Sequence, residues 1–296
     1  MAIHALTAPE EILPRLQGYQ VAIVNKVILN RSILDSPGAR DLKLIAVAAT
    51  GTDNVDIEAA RARGICVCNV PGYAAQSVAQ FTVALILELA TRAGGYMELV
   101  RRGAWEQSPI YTRIDFSTVE LSGKKLGIVG YGNIGRRVAA IARMLGMEIL
   151  TSARPGSSDA PPEGRFPLND VLASSDFVSL HCPLTPDTKN LIDSRALELM
   201  KPNAFLVNTA RGALIDEAAL IQALRQKRLA GAALDVISRE PPPSDHPVIR
   251  AAKELDNLLV TPHCAWSTRE ARRRLLDEVA ENILAFLRGE ERNRAG

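Results

Sequence analysis

The sequence predicts an α/β protein with two parallel, doubly wound sheets. Short and nearly continuous apolar runs recur along the chain, as expected of parallel strands that are covered on both faces. Amphipathic helical stretches separate these runs, and such β–α alternation is typical of parallel sheets. The chain has 296 residues, which is enough for two domains that each bury a core of their own.

The first three apolar runs predict one sheet. They are "YQVAIVN" at residues 19–25, "KLIAVAAT" at residues 43–50 and "ICVCNV" at residues 65–70. A helical stretch lies before the third run and ends at Gly64, a residue type that commonly terminates helices. A long helix with an apolar period follows, and we expect it over residues 75–92.

Six later runs predict the second sheet: "KKLGIVG", "EILTSA", "FVSLH", "AFLVNTA", "AGAALDV" and "NLLVTPH". Residues 97–121 carry Gly, Trp, Pro and polar residues without a strand pattern, so we expect them to cross between the domains. The amphipathic stretch "STREARRRLLDEVAENILAFLRG" is expected to return as a helix to the first domain. The predicted domains are residues 1–96 plus 268–296, for substrate, and residues 97–267, for a dinucleotide.

The overall charge and hydropathy exclude several classes of protein. The net charge is +2, which gives no reason to expect nucleic acid or an anionic membrane as a partner. No apolar run approaches the roughly 18 residues of a membrane span. The N-terminal residues lack the basic region and apolar core of a signal peptide. We therefore expect a cytoplasmic protein.

The four cysteines predict no disulfide framework. Cys66 and Cys68 are too close for an easy disulfide, and none of the cysteines forms a CxxC pair. A zinc site built from the dipeptides His181–Cys182 and His263–Cys264 is the alternative. However, adjacent residues on a strand point to opposite faces. We interpret the cysteines as small, partly buried residues in a reducing compartment and predict no metal.

A glycine-rich loop predicts dinucleotide binding. The pattern G-x-G-x-x-G lies between an apolar strand and a helix, the context that gives this pattern its meaning. Its glycines permit a tight turn, a close approach of a pyrophosphate and close packing of helix on strand. The N–H groups and dipole of the helix then favour the anion. The predicted cofactor contacts in this loop are Gly130, Tyr131, Gly132, Asn133, Ile134 and Gly135.

The end of the next strand bears on which cofactor is bound. A carboxylate that binds ribose hydroxyls is expected about 20 residues after the loop. Ala153 occupies that place, between Ser152 and Arg154. The absence of an acid removes the repulsion of a 2′-phosphate, and the arginine and serine supply charge and donors. We therefore predict a preference for NADP over NAD. The alternative is that Arg154 is solvated or stacks on adenine without selectivity.

Four reactive side chains follow predicted strands: His181, Arg211, Asp235 and His263. Ligands of open α/β sheets bind at this edge, and histidine is suited to proton transfer near neutral pH. A histidine that acts as an acid needs a carboxylate to orient it, and Glu240 lies in a loop close to these strand ends. The alternative is structural: hydrogen-bonded histidines at a sheet rim and an arginine that supports the fold.

Five stretches together resemble the D-isomer-specific 2-hydroxyacid dehydrogenases: "GYGNIG", "HCPLTPDT", "NTARGALIDEAAL", "ALDV…REPP" and "TPHCAW". Their order and spacing agree with that family across nearly the whole chain. The stretches "VAATGTDNVD", "CNVPGY…SVAQ" and "PHCAWSTREAR" are most similar to glycerate dehydrogenases, also called hydroxypyruvate reductases. The resemblance implies a flavodoxin-like substrate domain and a Rossmann cofactor domain. It implies reduction of a small 2-keto acid, hydroxypyruvate or glyoxylate, to a D-2-hydroxy acid with NAD(P)H.

The resemblance also implies a role for each strand-end residue. Arg211 pairs with the substrate carboxylate and polarises the carbonyl, and His263 gives the proton to the carbonyl oxygen. Glu240 hydrogen-bonds His263 and keeps it protonated, while Asp235 supports this group and the nicotinamide side. The other implied contacts are Thr50, Gly51 and Val78 with the substrate, and His181, Pro183, Thr188, Thr209, Ala210, Asp235 and His263 with the cofactor, in addition to Ser152 and Arg154 predicted above.

Further implications concern the assembly and the first domain. The resemblance implies a homodimer, and Trp105, Tyr111 and Phe116 lie in a segment that either contacts a partner or packs within the chain. Family members begin with another strand and helix before the stretch "HALTAPEEILPRL". We therefore expect a first domain shortened by roughly one βα unit, about 30 residues.

Two other functions remain open from the sequence. One is the reduction of a different 2-keto acid, such as pyruvate or a bulkier relative. The other is a scaffold that senses NAD(P) and binds a partner without turnover. Steady consumption of the reduced cofactor distinguishes an enzyme from such a scaffold.

Overall fold

The computed structural model describes residues 1–154, residue 156 and residues 161–295. Its contacts divide the chain into two compact units. The first unit contains Met1–Ala74 and Ser267–Gly296, and the second contains Ala75–Trp266. Among the described helices, none combines the length and the apolar character needed to cross a membrane.

The secondary structure alternates between strands and helices, as predicted. The strands are β1 (Val21–Val24), β2 (Leu44–Val47), β3 (Cys66–Cys68), β4 (Lys125–Val129), β5 (Glu148–Thr151), β6 (Phe177–Leu180), β7 (Phe205–Asn208), β8 (Gly231–Leu234) and β9 (Leu258–Val260). The helices are α1 (Ile12–Leu16), α2 (Arg31–Leu34), α3 (Ile57–Ala62), α4 (Ala75–Thr91), α5 (Ala93–Arg101), α6 (Asn133–Met144), α7 (Leu168–Ser174), α8 (Ser194–Leu199), α9 (Glu217–Arg225), α10 (Pro247–Glu254) and α11 (Arg269–Leu287).

The first unit contains a three-stranded parallel sheet in the order β1-β2-β3. The middle strand β2 is buried along its whole length, because helices cover the sheet and α11 packs against this strand. Asn282 of α11 donates a hydrogen bond from Nδ2 to the carbonyl of Asn69 at 2.8 Å. The three predicted strands and the return of the last helix to this unit are therefore confirmed.

The second unit contains a six-stranded parallel sheet in the order β5-β4-β6-β7-β8-β9. All six predicted strands are confirmed, and with them the predicted α/β class with parallel sheets. Strand β4 lies between β5 and β6, so the chain runs from β4 to β5 on one side and then crosses back to β6 on the other. Such a switch point opens a crevice at the carboxyl ends of the strands, where α/β proteins bind ligands.

The predicted boundary between the domains differs from the observed one. Residues 75–96 were expected in the first domain, but α4 belongs to the second unit. The helix is buried along most of its length and packs against α6, β7 and β8. Residues 97–121 also lie within the second unit and begin inside α5, so they do not cross between the units. The crossings are at Ala74–Ala75 and Trp266–Ser267.

The aromatic residues of residues 97–121 were predicted either to contact a partner or to pack within the chain, and they differ in this respect. Phe116 packs within the chain, because its ring meets the edge of Tyr96 at 4.9 Å and lies 5.1 Å below the guanidinium of Arg92. Trp105 is 53% exposed and Tyr111 is 90% exposed. Packing within the chain therefore accounts for Phe116 but leaves the other two rings at the surface.

Candidate active site

The glycine-rich loop connects β4 to α6 in a shape that requires glycine at two positions. Gly130 has a φ of +95°, and a Cβ there would overlap the backbone of His181 and Cys182. A Cβ on Gly135 would overlap the carbonyl oxygen of Gly130, so the helix could not approach the strand. Gly132 faces open space instead, and it caps the N-terminus of α6. The loop therefore leaves a cradle in which a pyrophosphate fits against the helix N-terminus.

The end of β5 carries a polar group that no described residue satisfies. Ser152 is 2% exposed, and its Oγ has no hydrogen-bond partner among the described residues. Arg154 is exposed beside it. The rest of the predicted loop, residue 155 and residues 157–160, lies outside the described residues. An orphaned hydroxyl beside an exposed arginine fits the ribose end of a dinucleotide.

Arg165 lies at the same place, although no pattern in the sequence predicts it there. Phe166 pairs with the end of β5, since its N–H donates to Thr151 O at 3.0 Å and its carbonyl accepts from Ala153 N at 2.8 Å. This pairing brings the Arg165 guanidinium 4.6 Å from the ring centre of Tyr131. Its Nη1 also lies 3.4 Å from Ser152 O. The parallel bridge between Ser152 and Phe166 places Arg165 at the end of β5. A single sequence has no pattern that predicts such a bridge.

The loop after β6 adjoins the glycine-rich loop. His181 Nε2 and Ser179 Oγ are 2.9 Å apart, and burial lowers the pKa of His181 from 6.5 to about 4. The ring is therefore neutral near pH 7. Thr188 is 4% exposed, and its hydroxyl donates to Pro183 O at 2.7 Å and accepts from Thr185 N at 2.7 Å. These bonds shape the loop that carries the predicted cofactor contacts.

The register of three neighbouring strands brings the predicted catalytic residues to one edge. Asn208 of β7 pairs with Leu234 of β8, which pairs with Val260 of β9. Arg211 and His263 each follow three residues after these partners. Since paired strands lie about 4.8 Å apart, the loops after β7, β8 and β9 are neighbours.

His263 and Glu240 form the hydrogen-bonded pair that the resemblance implied. His263 Nδ1 lies 2.5 Å from Glu240 Oε2. The other oxygen of Glu240, Oε1, accepts the backbone N–H of Ile237 at 3.0 Å. Both side chains are roughly 28–29% exposed, so the pair borders solvent without being fully hydrated. His263 has a φ of +51°, a conformation that is uncommon outside glycine and often found at functional sites.

Asp235 holds the backbone that presents His263. It is 1% exposed, and its Oδ1 accepts from Thr261 Oγ1 at 2.7 Å and from Cys264 N at 2.9 Å. Its Oδ2 accepts from Ala265 N at 2.9 Å. The backbone carbonyl of Asp235 also accepts from His263 N at 2.8 Å. The carboxylate therefore fixes the loop on both sides of the histidine.

Arg211 begins the turn that follows β7. Its Nη1 donates to Ala210 O at 2.9 Å, and its carbonyl accepts from Asn208 Nδ2 at 2.8 Å. The next residue, Gly212, is buried so closely against Ile237 that a Cβ would overlap the carbonyl group of that residue. The arginine turn and the glutamate loop are thus packed directly against each other.

The remaining predicted contacts fall in both units. Val78 is buried on α4, where its carbonyl accepts from Thr82 Oγ1 at 2.8 Å. The same hydroxyl lies 2.9 Å from Thr209 Oγ1 at the end of β7, so the helix and the sheet edge are linked. Thr50 and Gly51 follow β2 in the first unit, where Thr50 Oγ1 donates to Val70 O at 2.9 Å.

The chain matches a family model described as "D-isomer specific 2-hydroxyacid dehydrogenase, NAD binding domain" over residues 83–265. It is 44% identical over 285 residues to a glycerate dehydrogenase of Methylorubrum extorquens, and the match covers 96% of this chain and 88% of that protein. It is 36% identical over 287 residues to a hydroxypyruvate reductase of Blautia hydrogenotrophica, with 96% and 87% covered.

A solved structure is also similar to this chain. It is an acyclic imino acid reductase in complex with NADPH and D-Arg, with a TM-score of 0.85 and 32% identity over 98% of this chain and 90% of that one. The match to the family model covers more than half of the chain, and both curated relatives span nearly all of it. The chain belongs to the family of D-isomer-specific 2-hydroxyacid dehydrogenases, oxidoreductases that interconvert 2-keto and 2-hydroxy acids with a nicotinamide cofactor.

Proposed function

We propose that this enzyme reduces hydroxypyruvate to D-glycerate, and glyoxylate by the same chemistry, with NADPH as the preferred reductant. The observation that carries the proposal is the Glu240–His263 pair, which stands beside the Arg211 turn at the carboxyl edge of the dinucleotide-binding sheet. The relatives named glycerate dehydrogenase and hydroxypyruvate reductase support the choice of substrate.

The reaction requires that negative charge on the carbonyl oxygen be neutralised as it develops. A bound nicotinamide cofactor supplies the hydride that is added to the carbonyl carbon. The Arg211 guanidinium pairs with the substrate carboxylate and polarises the carbonyl. His263 donates the proton to the carbonyl oxygen from Nε2, because Nδ1 faces Glu240. Glu240 fixes the orientation of the imidazole through its contact with Nδ1.

Three other residues complete the proposed set of substrate contacts. Thr50 and Gly51 bind the substrate carboxylate through their backbone, and Val78 limits the size of the group attached to the keto carbon. Asp235 keeps the His263 loop in place and supports the nicotinamide side. The linked hydroxyls of Thr82 and Thr209 support this assignment for Val78, because they hold its helix turn against the end of β7.

The preference for NADP is supported by the end of β5. Ala153 stands where a carboxylate would bind ribose and repel a 2′-phosphate. Ser152 offers an unsatisfied hydroxyl, and Arg154 and Arg165 bring positive charge to the same strand end. A related structure contains NADPH, which shows that this fold accommodates the phosphorylated cofactor in that protein.

The test is a screen of 2-keto acids with both reduced cofactors. Hydroxypyruvate, glyoxylate, pyruvate and a bulkier branched 2-keto acid are each mixed with enzyme and NADPH or NADH, and the loss of reduced nicotinamide absorbance is followed. We expect the highest kcat/KM for hydroxypyruvate with NADPH. A clear preference for another acid would overturn the substrate assignment. Tight cofactor binding without turnover of any acid would favour the sensing scaffold.

The assembly and location are proposed on separate grounds. The exposed Trp105 and Tyr111 rings support a homodimer, because aromatic side chains are enriched in subunit interfaces. Light scattering coupled to gel filtration checks this, and a mass of one chain would contradict it. Cys66, Cys68 and Cys182 are free thiols, which supports a reducing compartment such as the cytoplasm.

A further inference from the structure

The loop between β8 and Pro241 is held from outside by a residue that has no role in the reaction proposed above. We propose that Glu217 is a positioning residue: its carboxylate clamps this loop and thereby sets the distance between Glu240 and His263. The inference rests on the proposed function, since it assigns a support to the same pair.

The contacts of Glu217 are directed at one residue of the loop. Its Oε1 accepts the backbone N–H of Ser238 at 2.6 Å, and its Oε2 accepts the Ser238 hydroxyl at 2.6 Å. Glu217 is the first residue of α9, but the exposed N–H groups of that helix are capped by Asp216, which accepts from Ala218 and Ala219. The carboxylate of Glu217 therefore serves the loop and not the helix cap.

The clamp acts one residue away from the support of the catalytic glutamate. Ile237 precedes Ser238, and its backbone N–H donates to Glu240 Oε1 at 3.0 Å. The next peptide, which joins Ile237 to Ser238, is packed against Gly212, beside Arg211. A shift of Ser238 would therefore move the Ile237 N–H, and with it the carboxylate that lies 2.5 Å from His263.

A buried histidine restricts Glu217 on its other side. His246 is 6% exposed and precedes α10, and its Nε2 lies 3.7 Å from Glu217 Oε2. The Glu217 side chain itself is only 14% exposed. His246 thus packs against the clamp and leaves the carboxylate little freedom.

This arrangement predicts a kinetic effect without a loss of cofactor binding. Misplacement of a catalytic group by about 1 Å can cost roughly 100-fold in rate. The hydrogen bonds of Glu217 go to Ser238 and not to the loop between β4 and α6, so we expect its removal to leave the dinucleotide cradle intact. We expect the loss to appear in kcat and not in the cofactor dissociation constant.

The test compares Glu217→Ala, Glu217→Gln and Ser238→Ala with wild-type enzyme, in the reduction of hydroxypyruvate by NADPH. We expect kcat to fall about 10- to 100-fold in Glu217→Ala, with cofactor affinity within about two-fold. Glu217→Gln keeps an acceptor for the Ser238 N–H and should recover most of the activity. Ser238→Ala loses one of the two bonds and should lie between them. Glu254→Ala, an exposed glutamate paired with Arg225, is the matched control and should behave as wild type.

A double-mutant cycle separates positioning from general loosening of the fold. In a Glu240→Gln background the pair with His263 is already altered. Adding Glu217→Ala should therefore lower kcat further by a factor of less than about three. Equal losses in both backgrounds, wild-type kcat in Glu217→Ala, or a parallel loss of cofactor binding would each overturn the inference. Wild-type enzyme that reduces no 2-keto acid would instead overturn the proposed function, and the inference with it.

Discussion

Glu240 Oε2 and His263 Nδ1 lie 2.5 Å apart, although 23 residues separate them in the sequence. The glutamate is anchored by the Ile237 N–H, and the histidine is anchored by hydrogen bonds from its backbone to Asp235 and Thr261. Both partners of the pair are therefore fixed by backbone contacts of their own loops. This leaves the histidine Nε2 as the ring nitrogen that can face a substrate.

Replacing Glu240 by glutamine should lower kcat at least about 10-fold, because it disturbs a general acid that contributes about 100- to 10,000-fold in rate. The amide still accepts the Ile237 N–H, but it no longer offers His263 Nδ1 a carboxylate as partner. Steady-state rates with hydroxypyruvate measure the effect, and a fluorescence titration with NADPH should give an unchanged dissociation constant. Wild-type kcat in this variant would show that the pair is structural.

Removing either arginine at the end of β5 should weaken NADPH selectively. A charge-assisted hydrogen bond contributes about 1.5–3 kcal/mol, so KM for NADPH should rise at least about 10-fold in Arg154→Ala and in Arg165→Ala. KM for NADH should stay within about two-fold. The matched control is Arg143→Ala, an exposed arginine at the end of α6. If NADH is the better substrate and neither arginine matters, the assignment of NADP is wrong.

Two glycine substitutions should have opposite consequences. Gly212→Ala places a methyl group onto the Ile237 carbonyl, and this overpacking should destabilise the fold by about 1–3 kcal/mol or more and lower activity. Gly132→Ala meets no atom within 4 Å and has a φ of −81°, so stability should be unchanged. Its methyl group should still weaken cofactor binding, since it occupies the approach of the pyrophosphate. Urea denaturation and NADPH titration measure the two effects; a stable Gly212→Ala enzyme would contradict the packing argument.

His181 should make the protein less stable in mild acid. Burial lowers the pKa of His181 to about 4, so the unfolded chain binds a proton at this residue below pH 6.5 while the folded chain does not until about pH 4. His181 therefore lowers the free energy of unfolding as the pH falls from 6.5 to 4. Above pH 6.5 the residue does not change that free energy. The free energy of unfolding should fall between pH 8 and pH 5 in wild type, and this fall should be about 1–2 kcal/mol smaller in His181→Asn. Equal pH dependence of urea unfolding in both proteins would contradict this account.

The sequence predicts those parts of the molecule that depend on local patterns. The apolar runs locate all nine strands of the described residues, because a buried parallel strand must be apolar on both faces. The spacing of Gly130 and Gly135 predicts the cradle, because their positions have no room for a side chain. The family resemblance indicates the pairing of Glu240 with His263. A local sequence pattern does not, because the two residues are far apart in the chain.

Other features arise from tertiary packing and have no local signal. The sequence does not show that α4 packs on the second sheet, since an apolar helix fits either unit equally well. Arg165 reaches the end of β5 only through the bridge between Ser152 and Phe166. In the sequence, Glu217 is an acidic residue in the first turn of a helix, where acids are common. Its hydrogen bonds to Ser238 in the structure indicate that it holds the loop instead. Each of these depends on a partner that is remote in sequence.

The proton-donor role of His263 is tested most directly by single-turnover reduction of hydroxypyruvate in enzyme preloaded with NADPH. The His263→Asn variant suits this measurement, because asparagine tolerates the positive φ of that position and leaves the loop intact. We predict that the rate of cofactor oxidation falls by about 100- to 10,000-fold, while the amount of bound NADPH is unchanged. A variant that oxidises NADPH at the wild-type rate would contradict the assignment of His263 as the proton donor.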